Sequence, residues 1–318
     1  MLLMAGLPFI QECDVEAHLS WQQVVEAISL GHRQARARIG DLFLTREADT
    51  LLNRAAWIDG LGIGLKTVTV MSANPAQGLP TVQGLMIVFD AVTGTPAALI
   101  DSQLVTKWKT AADSLLGALK LARPDSRKLL ILGAGEVSYS LALAYSALFP
   151  GIDRVMIWNR TAANAQKLVD RLATDGIRAD CVQDLPQAVA EADIVSSATM
   201  SHSPILKGEW LRPGTHVDLI GAFRPDMREA DDEVLLKARI FVDCRETTLD
   251  HIGELKTPLA EGILRREDIL GDLYDLEAGA NGRTGPDDIT VFKNGGGAHL
   301  DLMTAGAILK AYAGRQGK

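Results

Sequence analysis

Two segments carry the residue types that could do chemistry. The run from Lys128 to Ser138 is an apolar strand, Lys-Leu-Leu-Ile-Leu, that meets Gly133-Ala134-Gly135 and then a helix beginning Glu136-Val137-Ser138. A tight glycine turn at a helix N-terminus presents backbone N–H groups and the positive end of the helix dipole to a pyrophosphate. Ser138 stands where a third glycine is usual and is small enough for close helix–strand packing. The next strand-like run, Val155 to Trp158, ends in Asn159-Arg160-Thr161. A site for NAD usually has an Asp or Glu there to accept from the ribose 2′-hydroxyl. Here the carboxylate is missing and a guanidinium is present, which favours a 2′-phosphate. The reading is an NADP(H) site, with NAD(H) as second option, formed by Gly133, Gly135, Glu136, Val137, Asn159, Arg160 and Thr161. Ala198 and Thr199, at the end of a later strand, fall where doubly wound sheets bind ligands, and Thr110 can face a phosphate from a helix.

The elements that must position these residues follow from patterning. Ser20 caps an expected helix from Trp21 to about Ile39, with Trp21, Val24, Val25, Ile28, Ala35 and Ile39 on one face and Gly40 as its stop. Strand-like runs at Thr50–Trp57, Gly64–Met71, Gly84–Asp90 and Pro96–Ile100, separated by turn residues, read as antiparallel. The apolar stretch Met1–Ile10 reads as a strand rather than a signal peptide, because it lacks a basic start and soon meets Glu12 and Asp14. A helix over Thr106–Leu121 stops at Arg123-Pro124-Asp125, which sets a domain boundary after residue 122. From Lys128 strands at 128–132, 154–158, 177–182, 193–198, 215–220 and 239–243 alternate with helices at 138–148, 162–174, 186–191 and 231–238. That alternation implies a parallel sheet with right-handed crossovers. A strand at Ile289–Lys293, a turn at Gly295-Gly296-Gly297 and a helix from Ala298 to about Ala313 end the pattern. The expected class is α/β: a Rossmann-type doubly wound parallel sheet plus a smaller α+β domain.

Bulk properties exclude some functions. The chain has 318 residues, 47% hydrophobic and 23% charged, with a net charge of −8 and no long basic run. This argues against nucleic acid as a partner. No apolar run approaches the roughly 18 residues of a membrane span. Cys13, Cys181 and Cys244 form no CxxC or Cys/His pattern, so buried free thiols in a reducing compartment, and a cytoplasmic location, are expected. No residue grouping has metal-ligand spacing.

Several blocks occur in an order that resembles the ornithine cyclodeaminase/mu-crystallin family. They are Gly64-Leu-Lys66, Asn74-Pro-Ala-Gln-Gly78-Leu-Pro80, Thr106-Lys-Trp-Lys109-Thr110-Ala-Ala112, Gly208-Glu-Trp-Leu-Arg-Pro-Gly214, Gly221-Ala-Phe-Arg-Pro-Asp226-Met-Arg-Glu229 and Thr290-Val-Phe-Lys293. The resemblance implies hydride transfer between a nicotinamide and the Cα of an α-amino or α-imino acid, and a homodimer. It implies that residues 1–122 with 298–318 bind substrate and dimerise, while residues 123–297 bind the dinucleotide. By the same resemblance Arg46, Lys66 and Lys109 fall at carboxylate-binding positions, Lys66 and Lys109 at the reacting centre, and Lys293 near the nicotinamide ribose. Gln83 could face the substrate. Lys66 lies in an apolar strand, where it is either a buried functional cation or an outward-facing side chain. Lys109 stands where the family has Arg, and so keeps the charge without the two-donor fork.

Phe223 stands where cyclodeaminases carry an Asp that handles the substrate amine. It is either a mark of imine reduction, which needs no base to deprotonate an amine, or plain packing. His299 is either an acid/base or a structural histidine, and Asp301 reads as a first-turn acid. The blocks come closest to the ketimine-reductase branch. The resulting expectation is NADPH-dependent reduction of Δ1-pyrroline-2-carboxylate or Δ1-piperideine-2-carboxylate to L-proline or L-pipecolate. Ornithine cyclodeamination with catalytic NAD and a non-catalytic ligand-binding role are the alternatives.

Overall fold

A computed structural model describes residues 6–316 of the chain. They divide into two compact units, Met1–Lys109 with Gly297–Lys318, and Thr110–Gly296. The first division falls inside the helix Ser102–Leu121 rather than at its end. The early part of that helix carries Trp108, whose ring lies 4.2 Å from that of Trp21. Its later part carries Gly117, against which Phe292 packs.

The first unit is built on strands β1 (Phe9–Ile10), β2 (Arg38–Arg46), β3 (Asp49–Ile58), β4 (Gly62–Val70), β5 (Val82–Phe89) and β6 (Pro96–Asp101). Their order is β1-β6-β5-β4-β3-β2, antiparallel except for β1 beside β6. Of the strand expected over Met1–Ile10, only Phe9–Ile10 is a strand among the described residues, and residues 1–5 lie outside them. Ser20 caps the helix Trp21–His32 through a reciprocal pair with Gln23, as its spacing predicts. The helix does not continue to Ile39. It ends at His32, and Arg38–Arg46 instead pairs with β3 along its whole length. Ile39 has helical spacing but sits in a run with Leu42, Phe43 and Leu44 whose partner strand lies next in sequence, and that pairing overrides local periodicity.

The pleat sorts this sheet into two faces. Along β4, Gly62, Gly64, Lys66 and Val68 are buried, while Ile63, Leu65 and Thr67 are half-buried. In the ladder Ala56 pairs with Gly64, Arg54 with Lys66 and Lys66 with Met86, so these share the buried face. Leu42, Leu44, Leu51, Leu65 and Ile87 occupy the other.

The second unit is an eight-stranded parallel sheet. Its strands are β7 (Lys128–Leu132), β8 (Arg154–Trp158), β9 (Ala179–Cys181), β10 (Ile194–Ser197), β11 (His216–Leu219), β12 (Ala238–Val242), β13 (Ile269–Gly271) and β14 (Ile289–Lys293). The order is β13-β12-β14-β11-β10-β7-β8-β9. From β7 the chain first runs outward through β8 and β9, then returns to β10 on the other side of β7. The switch point, where such sheets bind ligands, therefore lies between β7 and β10. Leu130, Leu132, Val195, Val217 and Val291 are buried at its centre, as expected of a sheet covered on both faces.

Among the described residues no helix is long and apolar enough to cross a membrane, and no group of His, Cys, Asp and Glu could hold a metal. The three cysteines are free, as expected, but only Cys244 is buried. Cys13 is exposed because its helix, Glu12–Val15, buries Val15 alone.

Candidate active site

At the switch point Gly133 has a φ of 111°. A Cβ there would lie 2.6 Å from the Ala198 carbonyl oxygen, so both conformation and space demand glycine. Its N–H donates to Trp158 O at 2.9 Å, tying the ends of β7 and β8 together. Gly135 has a different reason for being glycine. It is the N-cap of the 13-residue helix Glu136–Leu148, and a Cβ on it would meet nothing within 4 Å. Tyr139 N–H closes the first turn onto Gly135 O, so the amides of Glu136, Val137 and Ser138 precede the helix's own acceptors. Open space, free amides and a helix dipole fit a pyrophosphate.

Around this turn Asn159 donates to Thr161 O at 3.0 Å, and Thr161 is the N-cap of the helix Ala162–Thr174. Arg160 is exposed and has no ion-pair partner among the described residues. The Glu136 carboxylate is paired with Arg171 at 2.6 Å, and both residues line the cavity beside Ala134 and Gly135. Ala198 N–H donates to Leu132 O at 2.8 Å, placing Ala198 and Thr199 beside Gly133. Thr110 is half-buried in the helix Ser102–Leu121.

The loops after β10, β11 and β14 are braced from below. Glu229 is fully buried and accepts from Ser197 Oγ (2.6 Å), Thr199 N (2.7 Å), Thr199 Oγ1 (2.8 Å), Gly221 N (2.5 Å) and Ala222 N (3.0 Å). Glu254 accepts from the amides of Glu229 and Ala230. Lys293 is also fully buried, and its ammonium donates to the carbonyls of Leu219, Ala222 and Asn294 at 2.7–2.9 Å. Three donors spent on three carbonyls leave the ammonium none for a ligand, so the side chain of Lys293 acts as a brace. Four buried carboxyl groups surround this one ammonium. Burial pushes Asp218 up to about 7. Burial, and then the neighbouring Glu229, push Glu254 to about 7 as well. Glu229 stands out in the sequence only as the end of a family block, and Glu254 and Asp218 do not stand out, because their partners, backbone amides for Glu254 and the hydroxyls of Ser196 and Tyr145 for Asp218, lie far away along the chain.

The first unit holds a buried cationic cluster. Lys66 is 7% exposed on the inner face of β4 and donates to Asp301 Oδ1 at 2.7 Å. Its reading as an outward-facing lysine is thereby excluded. Burial lowers its pKa, Asp301 opposes that shift, and Lys109 adds to it. Lys109 is 9% exposed and has no ion-pair partner of its own among the described residues. Asp301 is not a solvated first-turn acid: it is 1% exposed, and its Oδ2 has no hydrogen-bond partner. His299 is buried, its ring edge-on to His32 at 5.6 Å. Burial, followed by the charges of His32, Lys109, Arg54 and Arg36, holds its pKa well below the usual histidine value. It is a neutral imidazole at neutral pH and not an imidazolium proton donor.

Two expected substrate residues are not brought to this cluster. Arg46 ends β2 at the hairpin, with its side chain 80% exposed and 3.5 Å from Asp49. The β2 residue in the Lys66 row is Asp41, five positions away, or roughly 17 Å along the strand. Gln83 is exposed on β5 and pairs with Thr69, on the face opposite to Lys66. Arg54, which the sequence reading passed over, lies directly across from Lys66. Phe223 is 56% exposed after β11, so it is not part of the packed core.

Together these features define a two-unit α/β protein with a dinucleotide-type turn in one unit and a buried cationic cluster in the other. The chain belongs to the ornithine cyclodeaminase/mu-crystallin family, whose model matches residues 53–315. It is 57% identical over 309 residues to a Δ1-pyrroline-2-carboxylate reductase of Paracoccus denitrificans, covering 96% of this chain and 97% of that protein. Among solved structures it resembles the Δ1-pyrroline-2-carboxylate reductase of Thermococcus litoralis in complex with NADH and L-proline, with a TM-score of 0.89 and 27% identity. That match covers 97% of this chain and 98% of the other. An archaeal alanine dehydrogenase dimer with bound NAD is equally similar, with a TM-score of 0.89, 30% identity and coverage of 98% and 97%.

Proposed function

We propose that the protein is an oxidoreductase that reduces the C=N bond of a small cyclic ketimine acid, Δ1-pyrroline-2-carboxylate or Δ1-piperideine-2-carboxylate, to L-proline or L-pipecolate. The observation that carries this reading is the buried Lys66–Asp301 pair beside the unpaired Lys109. Two buried ammonium groups and one carboxylate leave one positive charge to be met by a substrate carboxylate, and a charge-assisted hydrogen bond there contributes roughly 1.5–3 kcal/mol. The names of the Paracoccus and Thermococcus relatives support the substrate class.

A reduced nicotinamide dinucleotide bound at the Gly133–Gly135 turn supplies the hydride. The chain's own part is to hold and orient. Lys66 and Lys109 grip the carboxylate, and Asp301 keeps Lys66 protonated despite its burial. The imine nitrogen arrives protonated, so that hydride addition at Cα gives the amine with no further proton. An amine oxidation would need a base, and the position where cyclodeaminases carry Asp holds Phe223, which speaks against ornithine cyclodeamination.

NADPH is the proposed cofactor, because Arg160 is exposed and unpaired and no carboxylate stands at 159–161. The test compares NADPH and NADH oxidation with Δ1-pyrroline-2-carboxylate. Turnover preferring NADPH is expected, and Arg160→Ala should lower kcat/KM for NADPH by about 10- to 100-fold with little change for NADH, the loss of one charge-assisted phosphate contact. An unchanged ratio would remove Arg160 from this role. No turnover with either cofactor would sink the reductase reading.

The protein is further proposed to be a homodimer through the outer face of the first unit's sheet. Leu42, Leu44 and Trp57 are 53%, 56% and 47% exposed there, an apolar patch rare on monomers. Leu42→Asp/Leu44→Asp is expected to give a species of half the mass by light scattering. A wild-type monomer would overturn the proposal.

A further inference from the structure

We infer that Arg54, held by Asp41, is a third substrate-binding cation and that it sets the enzyme's requirement for a carboxylate on the imine. The inference rests on the proposed reductase function and names a residue that reading does not use.

Arg54 interrupts an otherwise uncharged stretch of β3, Leu51-Leu52-Asn53-Arg54-Ala55-Ala56. In the ladder it lies directly opposite Lys66 on one side and Asp41 on the other. Directly paired residues put their Cβ atoms about 5 Å apart on the same face, so Asp41, Arg54 and Lys66 form one row across three strands. Nε of Arg54 donates to Asp41 Oδ2 at 3.1 Å. Among the described residues that is its one hydrogen bond, so the terminal nitrogens of the guanidinium keep their donors. A single bond at Nε fixes the plane of the fork and leaves its outer end for a bidentate carboxylate. The side chain is only 22% exposed, which strengthens such a contact relative to a surface arginine. The charge of Arg54 already acts on both Lys66 and His299, which sets it within the same cluster.

Lys109 alone lacks the planar fork that an arginine would bring to its position. Arg54 supplies one from the neighbouring strand.

The test uses the full-length enzyme and three variants, Arg54→Met, Arg54→Lys and Asp41→Asn. Arg54→Met should raise KM for Δ1-pyrroline-2-carboxylate by 30-fold or more with kcat within about 3-fold. Arg54→Lys should fall between it and wild type, and Asp41→Asn should raise KM several-fold. The thermal midpoint of Arg54→Met should stay within about two degrees of wild type, whereas a merely structural role would lower it with the affinity. Titration with pyrrole-2-carboxylate, a planar analogue that cannot be reduced, reports the contact without turnover and should show the same 30-fold loss. Wild-type turnover with an unchanged KM and unchanged analogue affinity in Arg54→Met would overturn the inference and leave the reductase reading intact. Absence of wild-type turnover with the analogue still held through Arg54 would overturn the reductase reading alone.

Discussion

Lys66→Met is expected to lower kcat/KM for Δ1-pyrroline-2-carboxylate by about 10³-fold, roughly 4 kcal/mol of transition-state stabilisation. Methionine conserves the length and apolar stem of the side chain, so the packing of β4 survives while the ammonium is lost. Two effects add. The substrate carboxylate loses a charge-assisted donor, and Asp301 is left buried with neither oxygen paired, a centre that repels the incoming anion. Steady-state kinetics with a melting curve on the same sample separates catalysis from folding. A loss smaller than about 10-fold would remove Lys66 from the reacting centre.

The same pair predicts a pH dependence. On the proposed reading the active form of Lys66 is the ammonium, and burial places its folded pKa below the ordinary lysine value. Activity that depends on it is present at low and neutral pH and is lost as pH rises through that lowered pKa. Asp301 is the strongest group opposing the shift, so Asp301→Asn should move the alkaline limb of kcat/KM to lower pH. A limb that stays in place would mean that another group titrates there.

How much of this was legible beforehand depends on the range of the interaction. The βα alternation from Lys128 onward, the Gly133 turn and the capping box at Ser20 are local patterns, and the structure has them within a residue or two. Strand β2 was missed, its first two residues being read as the end of a helix, because its evidence is non-local: Leu42 and Phe43 make sense only opposite Asn53 and Leu52. The site divides the same way. Lys66 was visible as a charge in an apolar strand. Its partner Asp301 lies 235 positions away and read as an ordinary helix-start acid. Arg54 could have been found by the same signal that singled out Lys66, since both are lone cations in apolar β-segments and the hairpin between them is short. Arg46 was placed by resemblance alone, and the hairpin geometry carries it to the sheet's end.

Gly133→Ala and Gly135→Ala should fail in different ways, and the contrast tests the dinucleotide turn. At Gly133 the φ of 111° is strained for any L-residue, and the new methyl would sit 2.6 Å from the Ala198 oxygen and 3.1 Å from Ser138 Oγ. Strain of this kind costs about 1–3 kcal/mol, and the backbone clash adds to it. Since neither β7 nor β10 can retreat without breaking its ladder, Gly133→Ala should lower Tm by several degrees and abolish measurable cofactor binding. At Gly135 the backbone is extended, φ −96° and ψ −173°, which alanine adopts freely, and the methyl meets nothing within 4 Å. Gly135→Ala should therefore leave Tm unchanged within about a degree while weakening NADPH binding 10-fold or more, because the space it fills is where a phosphate must approach the first amides of the helix. Fluorescence titration with NADPH and thermal melts of both variants read the two effects separately. Full cofactor affinity in Gly135→Ala would mean that the space before Glu136 is not a phosphate site, whatever happens at Gly133.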